Sequence, residues 1–235
     1  MDDMAREDNE LEFTWLHTKG GGQQNDIGSV EVQKGFGLLT LQAEVPYERN
    51  VEPDQTRQGI GNIDLGARYP LYQVLSSDQM IDATFGVAME GAIPADSTVS
   101  RNAELNPEIF NCLKLGKYFT VQTVLGYSTL TGGGDDGGSQ TFEYGFSFAY
   151  AIPHDELPLP GVQHFIPMFE LAGERGLNLE EAGRDSMLGD AGFRINLKPI
   201  GEMQPDLGLA YVFPIDSGGR EELHWGVVVS LIFEF

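Results

Sequence analysis

The sequence predicts an all-β chain that closes into a transmembrane antiparallel up-and-down β-barrel of about twelve strands. Three observations predict it. Apolar and polar side chains alternate along one run after another, the runs are even in number, and the connections between them alternate in chain order between short turns and longer polar loops.

The plainest run is Glu222 to Phe235. Leu223, Trp225, Val227, Val229, Leu231, Phe233 and Phe235 fall on one parity, and Glu222, His224, Gly226, Ser230 and Glu234 on the other. In a barrel the oily parity meets lipid and the polar parity the lumen, and this strand closes against the first so that no edge remains. Phe142, Tyr144, Phe146, Phe148 and Tyr150 repeat the pattern, and such a row of rings on one face would be an aggregation hazard in water.

In chain order, residues 1–9 read as a flexible charged tail and 10–235 as a single barrel domain. Glu10 to Thr18 sets Leu11, Phe13 and Trp15 against Glu12 and Thr14, and a Gly-rich polar loop follows over 19–26. Gly28 to Lys34 alternates more weakly, and Leu38 to Glu48 alternates clearly before a charged loop over 49–59. Asn62 to Tyr72 and Ile81 to Glu90 are the next pair of strands, followed by Leu105 to Leu115, where Phe110 and Cys112 sit on the otherwise polar parity. Phe119 to Ser128 leads to the loop TGGGDDGGSQ, whose GGGDD could chelate Ca2+ but lacks the spacing of a calcium loop. Strands over 142–150, 164–174, 187–198 and 206–213 complete the series, with a Pro-rich turn, AIPHDELPLPG, inside it. The sorting of short and long connections places both termini on the periplasmic side of a bacterial outer membrane.

Composition removes several alternatives. No stretch approaches the roughly eighteen apolar residues of a membrane-spanning helix, which says nothing against spanning strands. A net charge of −22 argues against nucleic acid as a partner. A single cysteine, Cys112, excludes an internal disulfide and a cysteine metal cluster, and it is expected to pack as a small hydrophobe. No signal peptide is recognisable in the sequence, so the protein is either not exported or, as is expected here, given as a mature form behind an added Met1. The four histidines, His17, His154, His164 and His224, form no nucleophile motif, so no catalysis, cofactor or metal is expected and an outer-membrane hydrolase is the least favoured reading.

The stretches GIGNIDLGARYPLY, FEYGFSFAYAIP, DAGFRINLKPIGEMQPDLGLAYVFPI and HWGVVVSLIFEF resemble the outer-membrane proteins grouped as transporters of the meta-pathway of phenol degradation. The resemblance implies a small-solute channel, with aromatic or other hydrophobic compounds as candidate solutes. Trp225, Leu231, Phe233 and Phe235 also resemble the signal by which the barrel-assembly machinery recognises a closing strand. Expected partners are therefore outer-membrane lipid or detergent, that machinery and a small solute.

The polar parity nominates Glu44, Asp64, Arg68, Asp82, Glu90, Lys114, Glu143, Glu170, Asp190, Arg194, Asp206, Glu222 and His224 as channel-lining residues. Acids outnumber bases there, and an open acidic lumen favours cations. Arg68 with Asp64, and Arg194 with Asp190 and Glu170, could instead be structural ion pairs in a packed interior. A closed barrel acting as a surface anchor is the alternative function, since a barrel of about twelve strands lies between side-chain-filled and channel-forming sizes.

Overall fold

A computed structural model of the chain describes residues 9–76, 80–132 and 137–235. Strand β1 (Asn9–Gly20) pairs antiparallel with β2 (Gln23–Phe36) on one side. On its other side it pairs with β12 (Trp225–Glu234), from Glu10 opposite Glu234 to Lys19 opposite Trp225. The sheet thereby has no free edge. Between these lie β3 (Leu39–Val51), β4 (Asn62–Leu75), β5 (Ile81–Pro94), β6 (Asn102–Leu115), β7 (Phe119–Gly132), β8 (Gln140–Tyr150), β9 (Val162–Gly176), β10 (Asp185–Leu197) and β11 (Gln204–Pro214). Each pairs with its chain neighbours, giving a closed barrel of 12 antiparallel strands. Two short segments, Thr56–Ile60 and Ile152–Pro153, add local pairs to β3 and β9.

Burial shows which parity faces inward. Thr84, Ala88, Asn106, Phe110, Ser128 and Ile232 are buried, while Phe13, Trp15, Val45, Leu65, Phe146 and Val229 on the opposite parity are exposed. A water-soluble fold does not leave so broad an apolar band uncovered, whereas a barrel in hydrocarbon does. Tyr47, Tyr69, Tyr127, Tyr150 and Tyr211 are exposed on this outer face, where a ring oily at one end and wet at the other suits a membrane interface.

The strands run further than the alternation suggested. The polar loop expected over 19–26 is a turn at Gly21 and Gly22, whose φ values of 55° and 79° both require the left-handed region that glycine enters at no steric cost. The charged loop expected over 49–59 is mostly paired, since Tyr47 to Val51 of β3 binds Thr56–Ile60. Charged side chains do not prevent strand pairing when both faces of the hairpin are wet, so the loss of alternation was not a strand end. The sorting of connections by length, to which the Pro-rich turn over 151–161 was the one expected exception, also fails at 21–22, which is as short as 37–38 at the opposite end.

Three further corrections concern the ends of strands. The tail expected over 1–9 lies outside the described residues except Asn9, which already belongs to β1. The last strand begins at Trp225 rather than Glu222, because Ser217–Glu222 forms a short helix, α1. Asp216 caps it, accepting from the Gly219 N–H at 2.8 Å and from the Met187 N–H of β10 at 3.1 Å. In β4 a bulge between Pro70 and Tyr72 leaves both Leu71 and Tyr72 exposed, so strict alternation stops there. Most of the GGGDD motif lies at 133–136, outside the described residues.

Candidate functional site: the inner face of the barrel

Because side chains alternate with period two, residues opposite one another across the ladder share a face, and each row of pairs can be followed around the wall. One row runs Asn196, Asp206, Ile232, Glu12, Glu31, Glu44, Asp64 and Ala92 to Glu104. A second runs from Arg68 through Ala88, Glu108, Gly126, Glu143 and Glu174 to Ser186. Carboxylates therefore stand on neighbouring strands of the inner face, Glu12 beside Glu31, Glu31 beside Glu44 and Glu44 beside Asp64.

Glu44, Asp64, Arg68, Asp82, Glu90, Lys114, Glu143, Glu170, Asp190, Arg194 and Asp206 all fall on the inward parity of their strands. Asp82 stands opposite Lys114, and Glu170 opposite Asp190 with the Ser147 hydroxyl donating to Glu170 at 2.8 Å. Arg68 does not form the ion pair with Asp64 that the packed-interior alternative offered. Its guanidinium donates to the Gln33 amide oxygen, because Arg68 faces Thr40 and Thr40 faces Gly35, one same-face step from Gln33. Arg194 and Glu170 line one small cavity of about 110 Å³ together with Thr120, Gln122 and Ile166.

Glu222 and His224 are placed differently from expectation. Glu222 ends α1 and His224 lies in the link to β12, both exposed, so neither is on the closing strand. Glu222 nevertheless reaches a cavity of about 400 Å³ at the end of the barrel that carries the longer connections. Glu104, Glu143, Glu174, Glu181 and Asp185 line that cavity, with Arg184 beside them. Arg184 joins two connections across the mouth, 2.7 Å from Glu181 and 2.6 Å from Glu221. The Arg184 guanidinium is held above its ordinary range by Glu181 first and Glu221 second.

At the other end the inner face is filled by side chains. Asp206 is 0% and Ile232 1% exposed, and the Asn196 side-chain amide donates to the Asp206 carboxylate. Cys112 is buried, as expected of a small hydrophobe, but on the inward parity beside Phe110. Gly86 lies under the Phe110 ring, in space that a Cβ would take from it.

Of the residues proposed as an assembly signal, Leu231 pairs with Phe13 and Leu207, Phe233 with Leu11 and Pro205, and Trp225 with Lys19. Phe235 is exposed, and its N–H donates to the Asn9 carbonyl at 2.9 Å. His17 faces outward, its Nδ1 2.7 Å from Asp26, which also meets Arg49 at 3.2 Å. His164 is on the inward parity, and His154 lies in the 151–161 connection. Sequence reading missed Glu104 and Asn106. Glu104 precedes the run recognised from Leu105 and Asn106 lies within it; carrying the parity of Glu108 four residues back would have found Glu104.

No family model matches the sequence, and no curated protein matches it. Among solved structures, the COG4313 outer membrane channel from Pseudomonas putida F1 superposes with a TM-score of 0.65 at 12% identity, covering 100% of this chain and 99% of that one. The NanC porin superposes with a TM-score of 0.54 at 8% identity, covering 96% and 98%. At such identities the likeness speaks for architecture: the chain has the fold of outer-membrane channel barrels over its whole described length.

Proposed function

We propose that the chain is an outer-membrane channel for passive diffusion of small solutes, with both termini periplasmic and an acidic interior that favours cations. The observation that carries this reading is the closed barrel whose outer face is apolar and exposed while its inner face holds rows of carboxylates and, at one end, a cavity of about 400 Å³ lined by Glu104, Glu143 and Glu174. Glu44, Asp64, Glu90, Glu143, Glu170, Asp190 and Asp206 would set the field through which a solute passes, with Asp82 and Lys114 offsetting one another, Arg68 and Arg194 as local exceptions and Glu222 at the mouth. Such a wall draws cations in and repels anions without any bound cofactor. The resemblance to phenol-pathway transporters adds aromatic or hydrophobic compounds as candidate solutes, and the terminal Trp225, Leu231, Phe233 and Phe235 as the recognition signal of the assembly machinery.

The filled end of the barrel, where Asp206 and Ile232 are buried, favours a second reading: a closed barrel that anchors surface-exposed loops. Purified protein in a planar bilayer under a KCl gradient separates the two. A channel of the proposed kind conducts, with a reversal potential displaced toward that of K+. Absent conductance would leave the anchor, and a displacement toward Cl− would overturn the acidic-lumen reading.

A further inference from the structure

The outward parity is oily along most of the wall, but at the end opposite the termini three neighbouring strands carry charge on it. Lys19 and His17 of β1, Asp26 of β2 and Arg49 of β3 share the outward parity of Phe13, Val30 and Val45. His17 Nδ1 lies 2.7 Å and the Arg49 guanidinium 3.2 Å from the Asp26 carboxylate, so the one acid of this group is engaged twice. Lys19 is exposed, stands opposite Trp225 and Gln24, and makes no ion pair among the described residues. The acids of α1, whose backbone lies beside Gly20, are turned elsewhere: Glu221 to Arg184 and Glu222 to the cavity inside the mouth. The patch therefore keeps a positive balance on a chain whose net charge is −22.

A cation facing outward from a barrel wall is costly against hydrocarbon and so marks the level of the lipid headgroups. Both tryptophans of the chain mark the same level, since the His17 ring centroid is 5.8 Å from that of Trp15 and 5.2 Å from that of Trp225. Two residues further toward the middle of the wall, about 7 Å at the usual strand rise, β2 has no side chain. Gly28 stands there between Trp15 and Tyr47, which are 45% and 52% exposed, and a Cβ on it would meet nothing within 4 Å. The slot between the two rings opens onto Val30, the next outward residue of β2.

We propose that this outer face is a docking site for one anionic, phosphate-bearing lipid of the surrounding bilayer. Its phosphate lies on Lys19 and Arg49, and one acyl chain fills the slot over Gly28 between Trp15 and Tyr47. Charge complementarity selects this occupant: a zwitterionic headgroup brings its own cation to Lys19, and a two-fold pair of barrels meeting here would bring the same cations together. The site is independent of whether the lumen conducts.

Bromine on an acyl chain quenches an indole beside it, so Trp15 and Trp225 report the occupant directly. Full-length protein is reconstituted at low ionic strength into phosphatidylcholine vesicles containing phosphatidic acid with brominated acyl chains, and separately into vesicles containing the same fraction of brominated phosphatidylcholine. The site predicts quenching by brominated phosphatidic acid at an apparent affinity about fivefold tighter, the ratio that one unpaired cation gives at an anionic lipid surface. Lys19→Gln should bring the ratio to about one. Gly28→Leu fills the slot without altering charge; it should lower the ratio as well, and it stands in if Lys19→Gln does not fold. Equal quenching by the two lipids, a ratio unchanged in the folded variants, or quenching by neither lipid, as a second copy covering the face would produce, overturns the proposal. A barrel that conducts K+ without this lipid preference loses the site and keeps the channel.

Discussion

The two ends of the barrel use the same alternating strands to opposite effect. Toward the connections 133–139, 177–184 and 215–224, the inward positions are Glu104, Glu143 and Glu174 around a cavity of about 400 Å³. Toward the termini, the inward positions include Ile166, Asn196, Asp206 and Ile232, and the cavity there is about 110 Å³. Both ends obey the pattern of polar in and apolar out. What differs is whether an inward polar group finds a protein partner, as Asp206 does in Asn196, or is left facing solvent, as Glu174 is. An alternating pattern therefore specifies a wall, and partner chemistry specifies whether the inside of that wall is open.

The largest expected break in this comparison is at the filled end. Ile232→Ala removes an almost wholly buried side chain and should cost roughly 2–5 kcal/mol, read as a lower urea midpoint in detergent. Leu130→Ala, which lines the larger cavity, should shift that midpoint much less; equal shifts would mean that both ends are packed alike. On the outside, Phe146→Arg places a charge in the middle of β8 and should cost about 2–4 kcal/mol in a bilayer. The same change should be nearly silent if the outer face met water, so refolding yields into lipid vesicles sharpen the assignment of the faces.

The smallest effect concerns the mouth. Asp216→Ala removes the cap of α1 and should destabilise that helix by about 1 kcal/mol while leaving the strands intact. The Asp216 carboxyl is held below its ordinary value of 3.8 chiefly by the Gly219 N–H, with the Met187 N–H contributing. A depressed folded-state pKa means that its stabilisation is present above pH 3.8 and is lost as pH falls through the lower folded value. Hydrogen exchange at Gly219 should therefore quicken in acid in the native chain and show no such dependence in the variant.

Much of this wall was legible because period two survives tertiary context when each strand is wet on one side and oily on the other. Leu11, Phe13 and Trp15 needed no partner to be assigned outward, and the inward acids followed by parity. Strand ends were less legible. Arg49, Asn50, Arg57 and Gln58 read as loop, yet they pair, since a hairpin reaching beyond the oily band has no oily parity to show. Helix α1 was hidden because SGGREE reads as a turn, and only the contacts of Gly218 and Gly219 with Asp185 and Met187 on β10 give it a place to sit. The Arg68 partner was missed for a related reason: neighbours along a strand are visible in sequence, while Gln33 is two strands away. Asn106 shared the inward parity of Glu108, but its hydrogen bonds to Glu108 and to Glu143 of β8 were not legible, since Glu143 lies two strands away.

The bond between the Phe235 N–H and the Asn9 carbonyl sets the beginning and the finish of the described chain side by side. A few flexible residues could join them, and the molecule could then be opened at the hairpin of Gly37 instead, rotating the reading order without altering a single ladder pair. The same adjacency makes the β1–β12 seam the pairing of greatest sequence separation among the described strands, and so the one whose loop-closure cost is highest.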